Sequence, residues 1–409
     1  VIKSLDYTTH SKIEAEIRIS GSKSESNRAL ILQKLFPNLT IENLSDSDDT
    51  KHLQKALESD STILDIGHAG TAMRFLTAYW ACKEGQTILL TGSERMQERP
   101  IKVLVEALRQ LGAKITYLNK EGYPPLEIQG KKITHSKVTL SAEVSSQYIS
   151  ALLLIAPSLE NGLTLSLEGQ ITSLPYIQMT LALLNQIGVQ ASFEQNTIHI
   201  NKLDTNAFPS KTIHIESDWS SASYFYALLA LAPIGSSLIL SSYLPESLQG
   251  DSILKNLYQT FGVETQFDHH YIRLQKVADP VANQTIQWDL NSAPDIAQTI
   301  AVTCAGLKMN CHLTGLHTLK IKETDRLTAL QTELGKLGVN VQVTEDTLKL
   351  QTPDQLKSNA VIATYKDHRM AMAFAPLALL VPIHIENPEV VSKSYLNFWK
   401  DLDLIFQPM

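Results

Sequence analysis

One pattern of apolar and polar positions recurs six times along the chain. A short alternating run, read as a strand, meets a cluster of small or charged residues and passes into a run rich in Ala and Leu, read as a helix. The instances are IRISGSKSESNRALIL, ILDIGHAGTAMRFLTA, VTLSAEVSSQYISALLLIA, IHIESDWSSASYFYALLALA, IQWDLNSAPDIAQTIAVTCA and VIATYKDHRMAMAFAPLAL. Their polar clusters centre on Ser24, Gly70, Ser145, Ser220, Asp295 and His368. From the second onward they recur about every 75 residues, too long for a solenoid unit and suited to a small α/β subdomain. Further patterns fill the intervals, such as a helix over Ile101–Leu111 and a strand over Lys114–Leu118.

Each polar cluster carries Ser, Asp or Pro where a helix start wants them. The helices that follow are apolar nearly all round, which predicts burial among other elements. Six helix starts place six sets of free N–H groups and positive dipole ends. If the repeats pack symmetrically these ends converge, and convergence makes an anion site. The plainer reading is that repetition is only a way of building a fold. No Gly/Ser linker interrupts the chain, so the repeats themselves suggest two halves of three, changing near His214–Glu216.

Composition narrows the function. Among 409 residues, 35 Lys and Arg against 42 Asp and Glu give a net charge of −7, unsuited to tracking nucleic-acid phosphates. Charged residues are 19%, below the roughly 25% of an average domain, again pointing to extensive burial. The longest apolar stretch, 370–383, is broken by Pro376 and Pro382 and is short for a membrane span. The opening residues show no signal or transit pattern, so the expectation is a cytoplasmic protein. Cys82, Cys304 and Cys311 are too few and scattered for a disulfide framework or a zinc site.

Four clusters concentrate cations at helix starts of this acidic chain. Lys23, Ser24 and Arg28 would surround an anion at the first; a P-loop is excluded because Glu16 stands where its leading Gly belongs. Arg95 to Pro100 holds Arg95, Glu98 and Arg99, an anion clamp or a surface ion-pair cluster. Lys322-Glu323-Thr324-Asp325-Arg326 is read as a helix start, with Lys322 and Glu323 sharing a side with Arg326. Such a carboxylate could move a proton; the alternative is a capped helix with internal ion pairs. Arg369 is a further clamp and His368 a titratable neighbour or a structural group. Ser145, Ser146 and Gln147 add neutral donors, and Asp295 follows Pro294 in a first turn, where Pro then Asp is also simply a good helix opening. Together the clusters point to a small, highly anionic ligand.

GSKSESNRAL, AGTAMR, ERMQERPI, YPPL, SSQY, SLPY, SSASYF, KETDR and DHRMAM stand in one order. In these motifs the chain, from about Gly21 to Lys393, resembles the EPSP synthase family of enolpyruvyl transferases (3-phosphoshikimate 1-carboxyvinyltransferases). The resemblance implies an α/β fold of two similar globular domains, each of three βαβαββ-type repeats with buried parallel helices, inside-out and barrel-like. One domain would comprise residues 1–20 with 216–409, the other 21–215, with the active site in the cleft between them. The implied reaction moves the enolpyruvyl group of phosphoenolpyruvate to the 5-hydroxyl of shikimate 3-phosphate through a tetrahedral intermediate and releases phosphate. It serves the shikimate pathway to chorismate and the aromatic amino acids and uses neither metal nor organic cofactor.

Carried over by motif, phosphoenolpyruvate would meet Lys23, Gly70, Arg99, Gln147, Arg326, Arg369 and Lys393. Shikimate 3-phosphate would meet Lys23, Ser24, Arg28, Ser145, Ser146, Gln147, Ser173, Asp295 and Lys322. Asp295 would be the general base, Glu323 the group that protonates the methylene carbon, and Lys23 and His368 would assist the departing phosphate. With Arg74 counted, eight cations would answer roughly five to six negative charges, and would repel one another until anions arrive. Departures are His68 and Phe75, where the family often has Asn and Pro, and Thr318, where it often has Asn. Gly70 is kept, leaving room for the inhibitor glyphosate, so sensitivity is expected. The alternatives are transfer to UDP-N-acetylglucosamine by the sister enzyme, which typically carries a reactive loop cysteine, and a non-catalytic anion binder of the same fold. Partners are the two small substrates, with neither nucleic acid nor membrane, and a monomer is the default.

Overall fold

The computed structural model describes residues 1–10, 12–142, 145–169, 171, 174–204, 208–281 and 284–406. The chain divides into two compact units, residues 1–20 with 216–409 and residues 21–215. Each has its own apolar core.

The six strand-like runs are β1 (Glu14–Arg18), β2 (Ile63–Asp65), β3 (Lys137–Ser141), β4 (Lys211–His214), β5 (Thr285–Asp289) and β6 (Ala360–Ile362). The runs after them are helices α1 (Lys23–Leu35), α2 (Gly70–Ala81), α3 (Ser146–Ile155), α4 (Trp219–Leu231), α5 (Ala297–Gly306) and α6 (His368–Phe374). As their composition predicts, α2 to α6 are buried on nearly every side. Within residues 1–20 and 216–409, α4, α5 and α6 pack on one another; within 21–215, α1, α2 and α3 do the same. Each core is thus helix against helix, with the sheets outside.

Each repeat strand also has a parallel partner. β2 pairs with Thr87–Thr91 and β3 with Leu163–Glu168. β5 pairs with Asn310–Thr314 and β6 with Ile383–Glu386. In these four repeats the helix lies between the two strands in sequence, because parallel strands need a long crossover. Antiparallel strands complete the sheets, as Lys114–Tyr117 and Leu126–Gln129 do beside Thr87–Thr91.

The other two repeats exchange their parallel partners. β1 leads in sequence to α1 but pairs with Ser237–Ser241, the strand after α4. β4 leads to α4 but pairs with Leu39–Glu42, the strand after α1. Each strand therefore lies in one unit and the helix it runs into lies in the other. The crossing at Gly21 is tight: a Cβ there would stand 1.8 Å from the carbonyl oxygen of Asn43, so only glycine fits without a backbone shift.

Candidate active site

In residues 21–215, α1 starts at Lys23 because Ser22 caps it, its hydroxyl accepting the Glu25 N–H. One turn on, Arg28 is buried and its hydrogen-bond partners are neutral, while the Glu25 carboxylate acts on it through charge. Nε donates to Thr180 Oγ1 at 2.8 Å, one terminal nitrogen to the Ser24 carbonyl at 2.7 Å and the other to Ser150 Oγ at 2.9 Å. Rings of Phe75 and Tyr176 lie 5.6 and 5.8 Å from the guanidinium carbon. Phe75, the departure noted above, thus packs on the cation. Burial pulls the Arg28 pKa down to about 10. Among the described residues no carboxylate lies within ion-pair distance of it. Lys23 differs, with its ammonium 3.6 Å from Asp49, a partner sequence reading did not find.

Gly70 opens α2 without a side-chain cap, and Arg99 lies against it: a Cβ on residue 70 would stand 2.5 Å from an Arg99 terminal nitrogen. Glycine here admits a guanidinium to the helix start. Arg74, one turn on, is buried and donates to the Gly70 and Pro100 carbonyls. Burial, with Arg99 nearby, pulls its pKa down to about 10. Gln147 is half-buried at the start of α3 and donates to Thr71 Oγ1 at 3.4 Å. Ser145 caps α3, with the buried Ser146 beside it. Arg95 pairs with Glu98 at 2.9 Å on the exposed surface, so there the plainer reading holds. Ser173 lies outside the described residues.

In residues 216–409, Arg326 is the hub. Nε meets Asp367 at 2.7 Å, while the terminal nitrogens meet Asp295 and Glu323, both at 2.9 Å. Asp295 also faces Lys322 and Arg369 at 3.5 Å each, and Glu323 faces Lys393 at 2.7 Å. Three predicted details change. Lys322, Glu323 and Thr324 precede the helix Arg326–Lys336 instead of lying on it, because Asp325 caps that helix by accepting the Leu327 and Thr328 N–H groups. Asp295 sits in a 3-10 turn, Pro294–Ile296, ahead of α5. The third change concerns the expectation of mutually repelling cations. In this unit they are knitted together by carboxylates, including Asp367, which sequence reading treated only as the opening of a motif.

Asp367 also caps α6, its carboxylate accepting the Arg369 N–H at 2.9 Å. His368 beside it is buried, with its ring 3.7 Å from the Asp367 carboxylate. The chain reaches Asp367 through Tyr365 and Lys366, both left-handed at φ 54° and 56°, a conformation costing roughly 1–2 kcal/mol per ordinary residue. The Tyr365 hydroxyl holds the turn by donating to Glu333 at 2.7 Å.

Burial raises the Cys82 thiol pKa to about 12, and Cys304 and Cys311 are buried, so none has the setting of a reactive thiolate. No helix among the described residues is long and apolar enough to cross a membrane.

Comparison with known proteins bears on the family and the fold. The family model described as EPSP synthase (3-phosphoshikimate 1-carboxyvinyltransferase) matches residues 7–60 and 53–402. The chain is 46% identical over 396 residues to the 3-phosphoshikimate 1-carboxyvinyltransferase of Bacteroides fragilis, covering 96% of this chain and 95% of that one. It is 37% identical over 428 residues to the enzyme of that name from Haemophilus influenzae, covering 97% of each. Among solved structures, EPSP synthase from Acinetobacter baumannii superposes with a TM-score of 0.78 at 20% identity, over 99% of this chain and 98% of that one. The enolpyruvyl transferase NikO from Streptomyces tendae gives 0.72 at 14%, over 98% and 97%. At those identities the two structures speak for the fold alone.

Proposed function

This chain belongs to the EPSP synthase (3-phosphoshikimate 1-carboxyvinyltransferase) family, and on that premise we propose that it transfers the enolpyruvyl group of phosphoenolpyruvate to the 5-hydroxyl of shikimate 3-phosphate, releasing phosphate. The observation that supports this most is the state of Arg28. A buried guanidinium is costly unless paired, and its neutral partners leave it a net charge to offer an anion. In our reading it serves the shikimate moiety with Ser24, Ser145, Ser146, Ser173 and Lys322. Arg99, Arg326, Arg369, Lys393 and Gly70 serve phosphoenolpyruvate, and Lys23 and Gln147 serve both.

The ion pairs suggest how the same residues catalyse. Asp295 accepts the proton of the attacking 5-hydroxyl, but with Lys322, Arg326 and Arg369 around it the free carboxylate is a weak base. Bound phosphate and carboxylate groups draw those cations off and raise its basicity when substrate is present. Glu323 must carry a proton to deliver it to the methylene carbon, and Arg326 and Lys393 oppose that in the free protein. Phosphoenolpyruvate competes for both, so its own charge loads the acid. Lys23 and His368 assist phosphate departure. In this reading the enzyme is a cytoplasmic monomer of the shikimate pathway, feeding chorismate and aromatic amino acid synthesis, and a glyphosate target.

The test is phosphate release from phosphoenolpyruvate with shikimate 3-phosphate, run beside UDP-N-acetylglucosamine. Turnover with only the first is expected. Turnover with only the second overturns the acceptor, and silence with both leaves an anion binder.

A further inference from the structure

Asp251 lies on a short 3-10 turn, Gly250–Ile253, in a segment to which none of the motifs above assigns a role. It is buried, and its carboxylate accepts a hydrogen bond from the Ser220 hydroxyl, at the start of α4. The same Ser220 oxygen accepts from an Arg369 terminal nitrogen at 3.3 Å. The other Arg369 terminal nitrogen donates to the Asp295 carbonyl at 3.2 Å. A chain of contacts thus runs from Asp251 through one hydroxyl to a guanidinium proposed to bind substrate.

The direction of these bonds matters. A serine hydroxyl has one proton and two lone pairs. When Asp251 takes the proton, the lone pairs turn to Arg369; without that carboxylate the hydroxyl is free to rotate. Burial, then the charge of Asp295, push the Asp251 pKa up to about 6, against the opposing pull of Arg369 and the Ser220 hydrogen bond. The carboxylate is therefore ionised near neutrality and able to orient the hydroxyl. Asp218, which caps α4, is the remaining charged group acting on it.

We infer that Asp251 is a positioning residue that acts through Ser220 to fix the Arg369 guanidinium for the carboxylate of phosphoenolpyruvate. The inference rests on the phosphoenolpyruvate role proposed for Arg369. It places the supporting carboxylate outside the motifs, on the far side of a hydroxyl from the guanidinium it serves.

The experiment compares steady-state kinetics of the full chain with Asp251→Leu, which has no acceptor, Ser220→Ala and the double variant. Each single variant should raise KM for phosphoenolpyruvate roughly tenfold, the scale of one charge-assisted hydrogen bond. KM for shikimate 3-phosphate should stay within about twofold and kcat should fall less than the phosphoenolpyruvate KM rises. The double variant should match the worse single, because both break one chain of contacts. Ser220→Ala removes one oxygen and keeps the test alive should Asp251→Leu fold poorly. An unchanged phosphoenolpyruvate KM in active variants, or KM values rising together for both substrates, overturns the inference. A wild-type protein that releases no phosphate overturns the proposed function and this inference with it.

Discussion

Arg99 occupies the space that a side chain on Gly70 would need: the first atom of any such side chain would stand 2.5 Å from a guanidinium nitrogen. The contact is with the mobile end of Arg99, so Gly70→Ala displaces a cation and leaves the fold in place. The expected outcome is a phosphoenolpyruvate KM raised about tenfold or more with the melting temperature within about 2 °C of wild type. Glyphosate inhibition should weaken in parallel. Titration of inhibitor and substrate on both proteins checks this.

Arg28 gives a prediction in which stability and function part. Its charge is buried among neutral partners, so Arg28→Met exchanges a desolvated cation for an apolar chain of similar length. Unfolding free energy should hold or rise, while affinity for shikimate 3-phosphate falls at least about a hundredfold. Urea denaturation and calorimetric titration read the two separately. A large loss of stability would mean that the cation serves the fold.

Arg326 should behave in the opposite way. It neutralises Asp367, Asp295 and Glu323 together, and Asp367 is fully buried. Arg326→Met takes the cation from the buried Asp367, while Asp295 keeps Lys322 and Arg369 and Glu323 keeps Lys393, and should cost about 3–5 kcal/mol in urea unfolding, along with activity.

For the reacting groups, Asp295→Asn and Glu323→Gln keep shape and remove proton transfer. Each should lower kcat about 10²- to 10⁴-fold while substrate affinity, measured by equilibrium binding, changes far less.

Asp251 also shapes stability against pH. Its folded pKa of about 6 exceeds the ordinary 3.8, so the native state holds the proton more tightly than the unfolded chain. Stability from this group is therefore lost as pH rises from about 4 to about 6. Asp251→Asn should remove that slope, so the variant gains on the wild type across that window. Unfolding curves at pH 4.5 and 6.5 compare the two directly.

The repeats and four of the six strand–helix pairings are legible in the sequence because a largely apolar helix after an alternating strand is a local signal, as in β3 and the Ser145-capped α3. The exchange of β1 and β4 is not. Both are short alternating strands fit for a parallel neighbour, and nothing local says which neighbour each takes. In the site, cations announced themselves by clustering at helix starts. Asp295 and Glu323 lie inside such clusters, but other carboxylate partners did not show: Asp49 follows another helix-capping Ser, and Asp251 sits in a segment outside the motifs. An aspartate at a turn looks the same whether it caps a helix or holds an arginine that is distant in sequence.

The pairing of β1 with Ser237–Ser241 sets an order for synthesis. The contact between Ile13 and Ser236 spans 223 positions, so the first strand leaves the ribosome long before its neighbour exists. Residues 21–215 can meanwhile close their own sheets, since β4 ends that stretch and returns to Leu39–Glu42. The leading segment must stay unpaired throughout, and its charged residues, Glu14, Glu16 and Arg18, suit a strand that waits in water. A chain lacking β1 would leave Ser237–Ser241 with an open edge, which makes residues 1–20 a late-fitting closure for the unit that residues 216–409 build.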